Sequence, residues 1–414
     1  MSQNISPDKK TNIYLPLFLL SFFPSFILVF FSAGSMTIGL VLSMLIIHVL
    51  CIFSVKVRLS KFHILFSFVI LFSILNSIFQ NYEVLSVKAI LNWFISFYVF
   101  LFALLLSKLL IKLNSEEIKC QLRNISFIFI GGAFFSIMIK FNFPVGNYAN
   151  LHKPIFPFAE PSHFALTAAY ILIPSGVIYQ WKLRVLILLL TIILAFTLPS
   201  TVLLVVSLIM IYLFFVNAGI TRALFVLFFG FLLSISFYLL KDFNPEALDY
   251  FTSRVVYDEE TTNISLLVFL MGWQDAINAL TETNGLGLGI FQMGVSFQTG
   301  EFGERIYDLV GSYKNLKDGG SLAAKSISEL GVLGIILIVL YLRQLFLSSE
   351  FILKNRNSAC SILLISHCWV VTFSIEIFIR ATHYFSIGFI LMLTALSIIG
   401  FFKGKSDSEK MCPS

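Results

Sequence analysis

Glu160-Pro161-Ser162-His163 places a carboxylate and an imidazole within one turn at the start of an apolar run. Such a pair can take a proton from a weak nucleophile, which is general acid–base work. Pro161 suits the first turn of a helix, where its missing N–H costs nothing. The other free N–H groups and the positive end of the helix dipole favour an anion, either a phosphate or the Glu160 carboxylate itself. His163, Thr167 and Tyr170 recur at helical spacing and share one face. The same residues also fit a plain structural role, with Glu160 capping the helix and His163 bonded to a backbone carbonyl.

Arg254, Arg305, Lys314, Lys317 and Lys325 fall in one long polar segment. A guanidinium binds two phosphate oxygens through parallel hydrogen bonds. As solvated loop charges, the same residues would only be offset by nearby acids. Asn284-Gly285-Leu286-Gly287-Leu288-Gly289 lets backbone approach a ligand closely. No strand–turn–helix unit surrounds it, so it is not a dinucleotide fingerprint. Asp318-Gly319-Gly320-Ser321 reads as a turn with a helix cap. Glu376 and Arg380 are four residues apart near the end of a span, followed by His383. They suit either a local bridge or the lining of a cavity. His48 and His367 read as packing residues. The five cysteines show no CxxC or metal-ligand spacing, so no disulfide framework, metal centre or cofactor is expected.

A membrane bundle must hold these groups. Of 414 residues, 58% are hydrophobic and 12% charged, against about a quarter charged in a soluble domain. A bilayer core of about 30 Å takes ~20 apolar residues per helix. Runs of that kind lie near 13–34, 36–55, 62–80, 86–111, 124–141, 161–180, 184–198, 200–217, 222–240, 326–347, 358–379 and 383–402. They predict an all-α polytopic membrane protein with about twelve transmembrane helices. A single helix over 184–217 would run ~50 Å, so a turn at Leu198-Pro199-Ser200 is expected to split it. The apolar run from Ile13 reads as the first span rather than a cleaved signal. Lys and Arg gather in the short connections on one side, which places that side and both termini in the cytoplasm. The organisation is then a bundle of about nine helices over 1–240, a large exterior loop over 241–325, about three helices over 326–402, and a cytoplasmic tail over 403–414. The apolar stretch Ile264 to Leu280, interrupted by Gly272, Gln274 and Asp275, reads as an interfacial helix within the loop. The net charge of +6 is spread as topology signals, with no basic patch interleaved with aromatics; no nucleic-acid partner is expected.

The layout resembles the O-antigen polymerase (Wzy) family and, more distantly, the O-antigen ligases of the same superfamily. The resemblance is carried by Phe158-Ala159-Glu160-Pro161-Ser162-His163 before a membrane helix, by Trp273 to Leu280 followed by Asn284 to Gly289, and by Asp318 to Ser321 leading into Ser328-Glu329-Leu330-Gly331. Gly320-Ser321 stands in the region where ligase-like members often place a His-Asn pair. Phe269 stands where many carry an Arg before the loop tryptophan, and Arg254 is the nearest upstream candidate. The resemblance implies a GT-C-like architecture in the bacterial inner membrane, with the large loop between helices nine and ten and the site facing the periplasm. It implies undecaprenyl-diphosphate-linked oligosaccharides as substrates, membrane lipids as surroundings and a chain-length regulator as a protein partner. The growing glycan would move from its carrier to the non-reducing end of a new lipid-linked repeat unit. In that setting Glu160 and His163 are the acid–base candidates, and Arg254, Arg305, Arg380 and Lys325 the diphosphate candidates. Ser162, Glu376, His383, Gly287 and Gly289 would support them. A ligase acting on lipid A core and a flippase for the same lipid-linked sugars are the alternatives; a flippase has no need of so lopsided a loop.

Overall fold

The computed structural model describes residues 14–33, 35–52, 61–80, 87–141, 155–215, 245–254, 257, 261–295, 300–381 and 383–403. The expected span at 222–240 lies outside them, as does nearly all of the C-terminal tail. Among the described residues the chain is helical, with one isolated bridge between Ile155 and Phe158. The helices are α1 (Tyr14–Phe30), α2 (Met36–Ile47, continued by a π-turn His48–Ile52), α3 (Lys61–Gln80), α4 (Val87–Ile111), α5 (Ser115–Met138), α6 (Pro161–Ile178), α7 (Trp181–Thr197) and α8 (Thr201–Phe215). The second half holds α9 (Pro245–Thr252), α10 (Ile264–Glu282), α11 (Glu301–Val310), α12 (Leu322–Leu330), α13 (Val332–Asn355), α14 (Ser361–Thr372), α15 (Ser374–Phe378) and α16 (Ile387–Lys403).

Six helical stretches among the described residues are long and apolar enough to cross a bilayer: Ile90–Ile111, Ser115–Met138, Pro161–Ile178, Ile264–Glu282, Val332–Asn355 and Ser361–Phe378. The chain is therefore an all-α, multi-pass membrane protein. Ile264–Glu282 is one unbroken helix and belongs to this set. Gly272 does not interrupt it; a Cβ there would meet the Gly319 carbonyl oxygen at 1.9 Å, so the glycine admits a neighbouring turn.

Several boundaries depart from hydropathy. The run expected at 124–141 starts at Ser115, because Asn114 caps the helix by accepting from the Glu116 N–H at 3.0 Å. Glu116 and Glu117 then sit in the first turn, where the dipole favours acids. The run expected at 326–347 is two helices that meet at Gly331, whose φ of 59° suits a residue without Cβ. The split of 184–217 does fall at Leu198-Pro199-Ser200.

α6 is the centre of the bundle. It is buried on nearly every side, and it packs on α5, α7, α8, α14 and α16. α13 is the opposite case: 89% of the Ser361–Phe378 window is buried but only 11% of that in Val332–Asn355. Its exposed Ile335, Ile336, Val339, Leu340, Phe346 and Leu347 suit lipid. At one end of the bundle, Arg184 donates to the Gly176 and Tyr179 carbonyls and closes the C-terminus of α6. Arg356 closes α8 in the same way, through the Phe214 carbonyl. Tyr179 donates to the Lys119 carbonyl, and Ser115 meets Ser361. Basic residues mark this end; the start of α6 lies at the other.

Candidate active site

The approach to α6 is fixed by rings. Phe158 and Phe164 pack edge-on at 5.6 Å between centroids, and both pack with Phe129. Glu160 follows at the N-cap position but makes no capping hydrogen bond. Its Oε2 instead accepts from Arg380 Nη2 at 3.0 Å and from Ser162 Oγ at 3.0 Å. Burial alone would raise the Glu160 carboxyl, yet the charges of His163 and Arg380 and the Ser162 bond outweigh it and hold the group below its ordinary value.

Arg380 reaches Glu160 because the helix has ended. The N–H groups of Ile379 and Arg380 both bond to the Ile375 carbonyl, and the chain leaves the helical path after Phe378. Ala381 N–H then bonds to the Gly320 carbonyl at 3.1 Å, so the Asp318–Ser321 turn anchors the strand of chain that carries Arg380. Ser321 caps α12 through the Ala324 N–H. The local Glu376–Arg380 bridge is thereby corrected: i,i+4 neighbours meet only while the helix continues.

Glu376 turns inward. Its Oε1 accepts from Tyr170 Oη at 3.0 Å and its Oε2 from Ser386 Oγ at 2.5 Å. Gly388 makes room for this group, since a Cβ there would lie 1.8 Å from Glu376 Oε1 and 2.1 Å from Tyr170 Oη. Tyr170 is held by its backbone as well. Pro174 has no N–H to offer the Tyr170 carbonyl four residues back, and the Trp369 indole N–H takes its place at 2.9 Å. His163 and Thr167 share this face of α6. Thr167 bonds the His163 carbonyl, while His163 Nδ1 is shielded from solvent without a hydrogen-bond partner among the described residues.

Arg254 joins from the segment after α9. Its guanidinium lies 4.1 Å over the Tyr250 ring and donates to Thr201 Oγ1 at 3.4 Å and Ser265 Oγ at 3.3 Å. It feels both Glu160 and Arg380 electrostatically, and burial lowers its pKa from the ordinary arginine value; a guanidinium keeps its charge regardless. Arg380 thus pairs with Glu160 directly, and Arg254 adds a second positive charge that acts on the same carboxylate through space. No protein-family model and no curated protein matches this chain.

The remaining candidates lie elsewhere. Arg305, on α11, makes no hydrogen bond or ion pair among the described residues. Lys325 is buried, 3.6 Å from Glu329 and over the Tyr384 ring, and it donates to the Lys317 carbonyl. That cluster is separate from Glu160. His383 Nε2 meets Thr37 Oγ1 at 3.1 Å, joining α2 to the Arg380 segment. The Gly287 and Gly289 amides bond to Thr283 Oγ1 and the Glu329 carbonyl. A Cβ on Gly287 would meet Gly331 N at 2.4 Å, and one on Gly289 the Ser77 Cα at 2.5 Å. The close approach these glycines permit is to the chain itself. Among the described residues no group of three or more His, Cys, Asp or Glu is placed to hold a metal ion.

Proposed function

We propose that the chain is a glycosyltransferase of the O-antigen polymerase type, which joins undecaprenyl-diphosphate-linked repeat units at the periplasmic face of the inner membrane. One observation carries the reading: Arg380 pairs with Glu160 at the start of the central helix, and Arg254 acts electrostatically on the same carboxylate. Two positive charges against one negative leave a surplus suited to an anionic diphosphate. Guanidinium donors stabilise the charge that develops on such a leaving group without a metal. Glu160 then takes the proton of the attacking sugar hydroxyl, with His163 one turn below. The basic end of the bundle faces the cytoplasm in this reading, which puts Glu160 outside.

The test is incubation of the purified protein with lipid-linked repeat units. A ladder of longer glycans is expected from the wild type. Glu160→Gln, Arg254→Ala and Arg380→Ala should each lose roughly 10²–10³-fold in rate. Arg305→Ala, which removes no contact to Glu160 or Arg380, should lose far less. Wild-type ladders from the first three variants at normal protein level refute the site. Product that requires a lipid A core acceptor points to a ligase instead.

A further inference from the structure

Inward of Glu160 a partly open cavity of about 50 Å³ lies between the helices. Its polar wall is Ser21 and Ser25 of α1, His163 and Thr167 of α6, Glu376 of α15 and Ser386 just before α16. Two of these groups lack partners. Ser21 Oγ and His163 Nδ1 are both shielded from solvent and bonded to nothing among the described residues, and Ser21 is only 2% exposed. Buried polar atoms of this kind are satisfied by water wherever a polar space admits it. A water needs about 10–15 Å³ of such space, so there is room for about three to five.

At the inner side stands Glu376, itself 2% exposed. Tyr170 of α6 and Ser386 hold its two oxygens. Among titratable groups, Tyr341 of α13 acts on it from further off, and His163 faces the same cavity. α1 offers only hydroxyls, and Arg380 is engaged by Glu160. A carboxylate inside a membrane bundle, without a cation beside it, marks a proton path or a ligand site more often than a structural contact.

We propose that water in this cavity links His163 to Glu376 as a proton relay, with Glu376 as its buried end. The outer end opens at Glu160, whose side chain is 47% exposed. Glu376 touches no substrate and acts through His163. In the polymerase reading, on which only the catalytic use of the relay rests, the acceptor hydroxyl loses its proton as its oxygen bonds to the sugar C1. The bond from C1 to the diphosphate oxygen breaks, and its electron pair leaves with the lipid carrier. The proton passes from Glu160 to His163 and through the water to Glu376, then returns by the same path to the released diphosphate or to solvent.

Infrared spectroscopy of the purified protein tests the relay without substrate. The carboxyl band of Glu376, assigned by its loss in Glu376→Gln, should exchange rapidly after transfer to D₂O at a pH where the group carries a proton. Ser21→Leu fills the cavity and should slow exchange by about tenfold or more, as for a site reached only by local opening. Ser21→Ala makes no packing demand and should slow it severalfold. Slow exchange in the wild type, or wild-type exchange in Ser21→Ala and in a folded Ser21→Leu, overturns the relay. In ladder synthesis, Glu376→Gln should lower kcat with KM unchanged and alter the pH profile. Wild-type kcat and pH profile in that variant overturn the catalytic use. A wild-type protein that makes no ladder strikes the polymerase reading, while the exchange rates still decide the relay.

Discussion

Gly388→Ala tests the buried Tyr170–Glu376–Ser386 node through a single methyl group. The new Cβ would lie 1.8 Å from Glu376 Oε1 and 2.1 Å from Tyr170 Oη. Neither group can swing away freely: Tyr170 is 1% exposed, with its carbonyl fixed by Trp369, and Ser386 holds the other carboxylate oxygen. The Tyr170–Glu376 hydrogen bond must therefore open. Hydrogen bonds between membrane helices are worth roughly 0.6–1.7 kcal/mol, and overpacking costs about 1–3 kcal/mol more. Alanine recovers at most about 1 kcal/mol of helix propensity over glycine, and less in a first turn. The net expectation is a loss of about 1–4 kcal/mol, read by reversible unfolding in mixed detergent. Gly400→Ala is the control on the same helix, because nothing lies within 4 Å of its added Cβ. It should be neutral or slightly stabilising. Tyr170→Phe removes the oxygen at 2.1 Å and should recover part of the Gly388→Ala loss. Equal stability of Gly388→Ala and Gly400→Ala refutes the reasoning.

Other predictions follow from the same contacts. The Glu160 carboxyl is depressed in the folded protein, so its contribution to stability is complete above the ordinary carboxylate value and lost as pH falls through the folded one. The stability advantage of wild type over Glu160→Gln should accordingly be present at neutral pH and vanish on acidification, and it should stay within about 1 kcal/mol because the pair is partly exposed. Lys325→Met strands Glu329, which is wholly buried; unfolding should show a loss of about 3–5 kcal/mol, with most of it regained in Lys325→Met/Glu329→Gln. Cys120 is exposed at the basic end, whereas Cys360 and Cys368 are buried. With Cys51 and Cys412 changed to Ser, an impermeant thiol reagent should label Cys120 from the cytoplasmic side alone; labelling from the periplasm overturns the orientation.

The juxtaposition of Glu160 and His163 is legible in the sequence because Glu160, Pro161 and His163 lie within one turn and carry a helix-start signature. The partner of Glu160 is not, since Arg380 lies 220 residues away and its spacing from Glu376 imitates a helical pair. That imitation fails because α15 ends at Phe378, a break with no proline or glycine to announce it. Lys325 shows the reverse case. Its i,i+4 partner Glu329 stood in plain view, yet its position among loop cations suggested an anion site. Asn114-Ser115-Glu116-Glu117 carried a capping signature that a hydropathy window, blind to polar first turns, passed over. The inner node was legible only in part: the shared face of His163, Thr167 and Tyr170 could be read from spacing. Ser21, Ser386 and Gly388 could not, because their roles depend on distances between helices remote in sequence.

The indole that replaces a missing backbone donor has a consequence beyond this fold. Pro174 and Trp369 form a lock of two halves, since the tryptophan supplies the bond that the proline withholds. Changing Trp369 to Phe leaves a carbonyl stranded in the apolar interior, and that part of the loss is recovered once residue 174 can donate its own N–H. Substitutions at the two positions should thus travel together through evolution, and their co-occurrence offers a way to recognise distant kin after ordinary identity has faded.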